Sequence, residues 1–307
     1  MDEPLQPSRK PLGFWKTVLA TFVGGLTASI VFSVLAFFFL LSLLIGSLLS
    51  QSAPKTIEEN SVLKINLSSI SELVTADPWS TFLPSRGEGE QSVSLTQALA
   101  AIRKAKANDR IRGIYLNLDS YSGGMASTAD LRAALLDFRS SGKFVVAYAD
   151  RYTQGGYYLA SIADKVFLNP EGMLSLNGLS SQTTFVKGAL EKIGVEMMIF
   201  RVGTYKGAVE QFMTDKLSDA NREQITAYQR TIWGNITRSI AKSRKITADD
   251  VNRFADEGGA LLDARKAVAY KLVDELKYRR EVEQYLMDRT GQKGDKLKAT
   301  SVAALKG

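Results

Sequence analysis

The sequence predicts an α/β domain with a largely parallel sheet, carried behind one membrane-spanning helix. Two observations lead there. Residues 18–49 contain no charged side chain, and from residue 94 onward short runs rich in β-branched residues alternate with stretches of helical periodicity. The uncharged run is well beyond the roughly 20 residues needed to cross a bilayer. It is also too long for the roughly 7–15-residue core of a cleavable signal peptide, although Ser50, Ser52 and Ala53 supply small residues after it. An uncleaved signal anchor over residues 17–50 is therefore expected. Arg9, Lys10 and Lys16 precede the run, so the positive-inside tendency keeps the tail, residues 1–16, in the cytoplasm and sends the chain beyond Ser50 to the far side.

The remaining elements follow in order. Residues 51–60 form a short polar tether, and residues 61–67 alternate apolar and polar side chains as a strand does. Residues 75–91 hold two prolines and two glycines among polar residues, which predicts a long surface loop. Ser94 and Gln97 have the spacing of a capping box, and Leu95, Ala98, Leu99, Ile102 and Ala105 share one helical face, so a helix runs to about Asn108. A strand over 111–118 leads into the loop 119–127 and a helix through Leu131, Leu135 and Phe138. The pattern repeats with a strand at 144–149, a loop at 150–154, a helix at 155–163 and a strand at 165–168. A helix over 183–193, closed by Gly194, is expected to feed a strand over 195–202. Beyond it come a long helical region at 218–243, a helix capped by Thr247 and Asp250, and a last well-marked helix over 264–276. The folded domain thus spans 61–290, and 291–307 reads as a polar tail or linker without an evident closing element.

Missing residue types exclude whole classes of chemistry. Without cysteine there is no disulfide, thiolate nucleophile or zinc-thiolate site. Without histidine the chain cannot by itself build a Ser-His-Asp triad or a histidine metal site. A hydrolase made from these residues needs a carboxylate or a lysine as its base, and no cofactor or metal is expected. The net charge of +7 comes from Lys and Arg scattered among Asp and Glu, which reads as solvated helix faces, so nucleic acid is not an expected partner.

Three places hold residues suited to chemistry. The glycine loops at Ser122-Gly123-Gly124 and Gln154-Gly155-Gly156 each follow a strand and open a helix, where backbone N–H groups can receive an oxyanion or a phosphate. Neither matches a Walker A or dinucleotide fingerprint, and a tight connection needs the same glycines. The third is the segment 201–210, which sets Lys206 in a glycine-flanked turn after a strand end. In a partly desolvated pocket such a lysine favours its neutral form and acts as a general base; as a solvated loop residue it does neither. Ser120, Ser122, Ser127 and Ser161 are the further hydroxyls of these loops.

Several stretches together resemble the N-terminal half of the long form of the signal peptide peptidase SppA family, also called protease IV. They are 111–118 with Gly123-Gly124, the run 152–161 around Gln154-Gly-Gly-Tyr157, the block 200–210 around Lys206, and 267–274. In that family the fold is of the ClpP/crotonase type, and the long form contains two such domains in tandem. The resemblance implies that the N-terminal domain supplies the lysine base, here Lys206, and that the second domain supplies a serine in a Ser-Gly-Gly-Tyr context. The paralogous place in this chain holds Gln154, and an amide cannot attack a carbonyl as a serine alkoxide does. The chain is thus expected to be a fragment or to be completed by a separate serine-bearing polypeptide, and a Ser-Lys dyad needs no histidine.

By the same resemblance the substrates are peptides, namely cleaved signal peptides, and the protein is a homo-oligomer. It is anchored by a single pass in the cell inner membrane with its catalytic domain in the periplasm. Two alternatives stand beside this. One is a non-catalytic anchored scaffold or assembly subunit, which Gln154 favours. The other is a crotonase-like acyl-CoA enzyme using backbone N–H groups to hold an enolate, which export from the cytoplasm disfavours.

Overall fold

The computed structural model describes residues 13–51, 57–67, 70–71, 93–119, 121–257 and 263–305. The expected loop at 75–91 and Ser120 lie outside them. Two compact units divide the chain, Met1–Thr56 and Ile57–Gly307. In the first, α1 (Phe14–Gln51) is a single helix whose stretch Phe14–Leu43 is long and apolar enough to cross a membrane, with none of it buried. Thirty residues at 1.5 Å each run about 45 Å, against a hydrocarbon core of about 30 Å.

The second unit carries eight strands among its described residues: β1 (Ser61–Asn66), β2 (Ile70–Ser71), β3 (Val93–Ser94), β4 (Ile111–Asn117), β5 (Phe144–Tyr152), β6 (Lys165–Leu174), β7 (Glu275–Leu276) and β8 (Ala299–Ser301). Six form one sheet in the order β7-β6-β5-β4-β1-β8, every neighbouring pair parallel, and β2 pairs with β3 separately. The helices of this unit are α2 (Leu95–Ala107), α3 (Met125–Arg139), α4 (Gln154–Ala160), α5 (Lys187–Lys192), α6 (Glu210–Met213), α7 (Asp219–Arg244), α8 (Ala248–Asp256), α9 (Ala264–Ala269) and α10 (Arg279–Thr290). This is the parallel α/β architecture that the alternating pattern predicts.

The period of two along the strands explains why both faces of the sheet are covered. Ile114 and Leu116 of β4, with Val145, Ala147 and Ala149 of β5, enter the main core beside Ala98, Ile102, Leu131, Leu135 and Leu159. Their neighbours Tyr115, Val146 and Tyr148 point the other way and pack against Val282 and Leu286 of α10. Both expected capping boxes form. Gln97 N donates to Ser94 Oγ at 3.2 Å, and Asp250 N donates to Thr247 Oγ1 at 3.1 Å.

Several elements differ from expectation. Only residues 187–192 of the expected helix 183–193 are helical, and the stretch 195–202 forms no strand. Met198, Phe200 and Val202 are 85%, 92% and 91% exposed. Apolar alternation records a side-chain period, but a strand also needs a neighbour for its backbone groups, and none lies beside this one among the described residues. The expected helix 264–276 stops at Ala269, because Lys271 takes a left-handed φ of +58° and buries Leu272 and Val273 behind it; Glu275 and Leu276 then join the sheet as β7. Within the stretch read as a polar tail, residues 299–301 form β8 and pair with Val62, Leu63 and Lys64 of β1.

Candidate active site

The two glycine loops leave the carboxyl ends of the adjacent strands β4 and β5, and Tyr121 lies between them. Its ring is buried, its hydroxyl shares a 2.9 Å hydrogen bond with Thr128 Oγ1, and its carbonyl accepts from Thr153 Oγ1 at 2.7 Å. A Cβ at Gly123 would fall 2.2 Å from the Tyr121 hydroxyl, so that position must be glycine for the ring to seat. Gly124 then opens α3 with no side-chain cap, while Thr153 caps α4 by accepting from Gly156 N at 3.1 Å.

Gln154 begins α4 and is bound to the loop across from it. Its Oε1 accepts from Asn177 N and Gly178 N, both at 3.1 Å, and its Nε2 donates to Gly178 O at 3.2 Å. The amide offers a donor and an acceptor on one planar group, which matches this backbone pair as a hydroxyl would not. Gln154 also lines a cavity of about 380 Å³ with Gly123, Met125, Leu179 and Ile236.

Lys206 sits elsewhere, exposed in the turn that the sequence picks out. Lys206 N donates to Gly203 O at 3.4 Å, with Gly203 at φ +106°. A second cavity of about 390 Å³, bounded by Tyr205, Lys206, Asn221, Ile225 and Tyr228, opens there. The turn is held by a residue to which the sequence alone assigns no role. Glu210 is 2% exposed, and its carboxylate accepts from Ser218 Oγ at 2.6 Å, Ser218 N at 3.1 Å, Asn221 Nδ2 at 3.1 Å and Arg201 Nη1 at 3.3 Å. These bonds, first those from Ser218, pull its pKa down to about 2. One buried anion thus ties Arg201, at the N-terminal end of the turn, to the start of α7. The only sequence signal for this is Ser218 before a helical run, the mark of an N-cap.

The other loop serines fall differently. Ser127 and Ser161 are buried, and Ser161 Oγ accepts from Arg132 Nη1 at 2.8 Å while donating to Tyr158 O at 2.9 Å; Ser122 is exposed. On the opposite face, Arg279 bridges Asp119 and, at 3.2 Å, Asp150, fastening α10 to the ends of β4 and β5. No cluster of three or more acidic side chains able to hold a metal occurs among the described residues.

A model of peptidase family S49 matches residues 137–293, just over half the chain, and takes in both Gln154 and Lys206. The chain belongs to peptidase family S49. Within it the similarity runs to the SppA type: "Protease 4" of Salmonella typhi is 36% identical over 210 residues, covering 66% of this chain and 34% of that protein. The chloroplastic "Serine protease SPPA" of Arabidopsis thaliana is 30% identical over 204 residues, covering 66% of this chain and 30% of that protein. These relatives bear out the resemblance carried by residues 152–161 and 200–210. The chain spans about a third of the length of these two relatives. Among solved structures, an "enoyl-CoA hydrotase/isomerase family protein" from Silicibacter pomeroyi has a TM-score of 0.40 at 15% identity, covering 76% of this chain and 79% of that one.

Proposed function

We propose that this chain is the lysine-bearing part of a Ser-Lys endopeptidase of the SppA type that degrades cleaved signal peptides. In this reading α1 anchors it in the cell inner membrane, the second unit forms the peptidase half on the periplasmic side, and a second domain brings the serine into a homo-oligomer. The observation that carries the reading is the fixed presentation of Lys206 on a turn held by Glu210, within the segment matched by the peptidase family.

The chemistry follows from the residue types. The serine-bearing domain brings its hydroxyl up to the Lys206 amine. That amine accepts the serine proton as the serine oxygen attacks the peptide carbonyl, and the resulting ammonium returns the proton to the departing amine nitrogen. Water then releases the acyl group by the same route in reverse. Gln154 cannot take the serine's part, because its amide is a poor nucleophile and is engaged by the 177–178 backbone.

The test is peptide-ester hydrolysis by a polypeptide that includes the serine-bearing half, with a circular dichroism melt beside it. Lys206→Ala and Lys206→Arg should both lose about 10²- to 10⁴-fold in turnover or more while melting normally, since arginine keeps its proton at any relevant pH. The 307-residue chain alone should neither hydrolyse the ester nor react with a serine-directed phosphonate. Near-normal turnover by Lys206→Ala would overturn the assignment. It would favour the scaffold reading, which the structural use of Gln154 supports.

A further inference from the structure

We propose that the cavity beside Gln154 is a peptide-binding pocket, taking one large apolar side chain of an extended polypeptide without cutting it. This goes beyond the function proposed above and needs neither Lys206 nor a serine. The cavity lies outside the carboxyl ends of β4 and β5, lined by the glycine loops that leave them. Its walls are Met125 and Ala129 of α3, Tyr158 of α4, Leu179, and Ile232 and Ile236 of α7, and no charged side chain lines it. A volume of about 380 Å³ falls within the usual range of ligand sites.

The pocket is also preformed. The three hydrogen bonds of Gln154 hold the 177–178 backbone, with Gly178 at φ +83°, so that Leu179 stands as a fixed wall. Replacing a nucleophile by this amide therefore removes the reaction and keeps the wall in place. The occupant is indicated by the chain next to Leu179. Residues 179–185 run without secondary structure and, among the described residues, without a backbone hydrogen bond, until Val186 N donates to Gln211 O at 2.8 Å. A row of free backbone donors and acceptors beside an apolar pocket is matched by another polypeptide backbone with side chains set at alternate positions. An acyl chain would fill the pocket but leave that row unmet.

The test uses the full chain in nanodiscs and fluorescence anisotropy of a labelled seven-residue peptide of Ala and Ser with a central Leu. It should bind roughly tenfold or more tightly than the same peptide with a central Asp. Ala129→Trp, which fills the cavity from α3, and Leu179→Asp, which charges its exposed wall, should each weaken binding about tenfold with an unchanged melt. Tyr228→Ala should bind as the parent does, because Tyr228 lines the other cavity. A peptide N-methylated on both sides of the Leu should bind about tenfold more weakly. Equal affinity for the Leu and Asp peptides, or unchanged binding by both cavity variants, would overturn the pocket. Loss of binding in Tyr228→Ala would move the site to the other cavity, and full binding of the N-methylated peptide would rule out the backbone pairing and point to an acyl ligand.

Discussion

A carboxylate that receives four hydrogen bonds and is closed off from water ties its stability to its charge, and Glu210 is in that position. Its neighbour Gly207 is part of the same fit, since a Cβ there would lie 2.3 Å from the Asn221 side chain that must reach the carboxylate. Folding lowers the Glu210 pKa from 4.5 to about 2, so the stabilisation is fully present above about pH 4.5 and is lost as pH falls towards 2. Glu210→Gln puts an NH₂ against donors and should cost about 1–3 kcal/mol at neutral pH. Thermal melts from pH 7 to pH 2 check both statements. The gap between parent and variant should narrow below pH 4.5 and close near pH 2, and a gap independent of pH would mean that the charge is not what holds the turn.

At the scale of elements, α3, α4 and α7 are fastened by one buried cation with no carboxylate partner. Arg132 of α3 donates to Tyr158 O, to Ser161 Oγ at 2.8 Å, to Ser239 O at 3.0 Å and to Ser243 Oγ at 2.7 Å, and its guanidinium lies 4.3 Å from the centre of the Tyr158 ring. A planar fork reaches four acceptors on two helices, which a lysine ammonium on the same stem does not. Arg132→Lys should therefore destabilise by about 3 kcal/mol, a fall in Tm of roughly 6–12 °C for a unit of this size, read by a circular dichroism melt. A change under 2 °C would show that the helices are held by apolar packing alone. Contacts of this kind are what the sequence hides. The strands β4, β5 and β6 were legible because burial on both faces leaves near-continuous apolar runs, and the capped helices because a cap is local. The apolar stretch 195–202 misled because its periodicity says nothing of a partner strand. The helix α10 was obscured because only Val282, Leu286, Met287 and Thr290 of its twelve residues are buried. At the candidate site the Lys206 turn was legible from its residues, whereas Glu210, Tyr121 and the seat of Gln154 depend on contacts between segments far apart in sequence.

At the scale of the whole molecule, the question is on which side of a membrane the second unit resides. A helix apolar on every side is stable inside a large core or inside a bilayer, and no part of the Phe14–Leu43 stretch is buried by protein. By length and composition the stretch fits a bilayer, which is the place the proposed function gives it. In the proposed topology Arg9, Lys10 and Lys16 on one flank keep the N-terminus in the cytoplasm and the second unit is exported. In that topology the second unit is open to added protease, and the structure identifies the vulnerable stretch among the described residues. Residues 193–206 lack regular secondary structure and are largely exposed, with Arg201 and Lys206 both accessible to trypsin, whereas the strands of the sheet are buried on both faces. Of the sites in the described residues, trypsin added to intact spheroplasts should cut first at Arg201 or Lys206, giving an N-terminal fragment that ends there and a C-terminal one, as read by denaturing gels and immunoblotting with antibodies to each end. A cytoplasmic protein of known abundance, blotted in parallel, reports lysis. Cleavage of the second unit only after lysis would put it in the cytoplasm, and the periplasmic peptidase reading would fall with it.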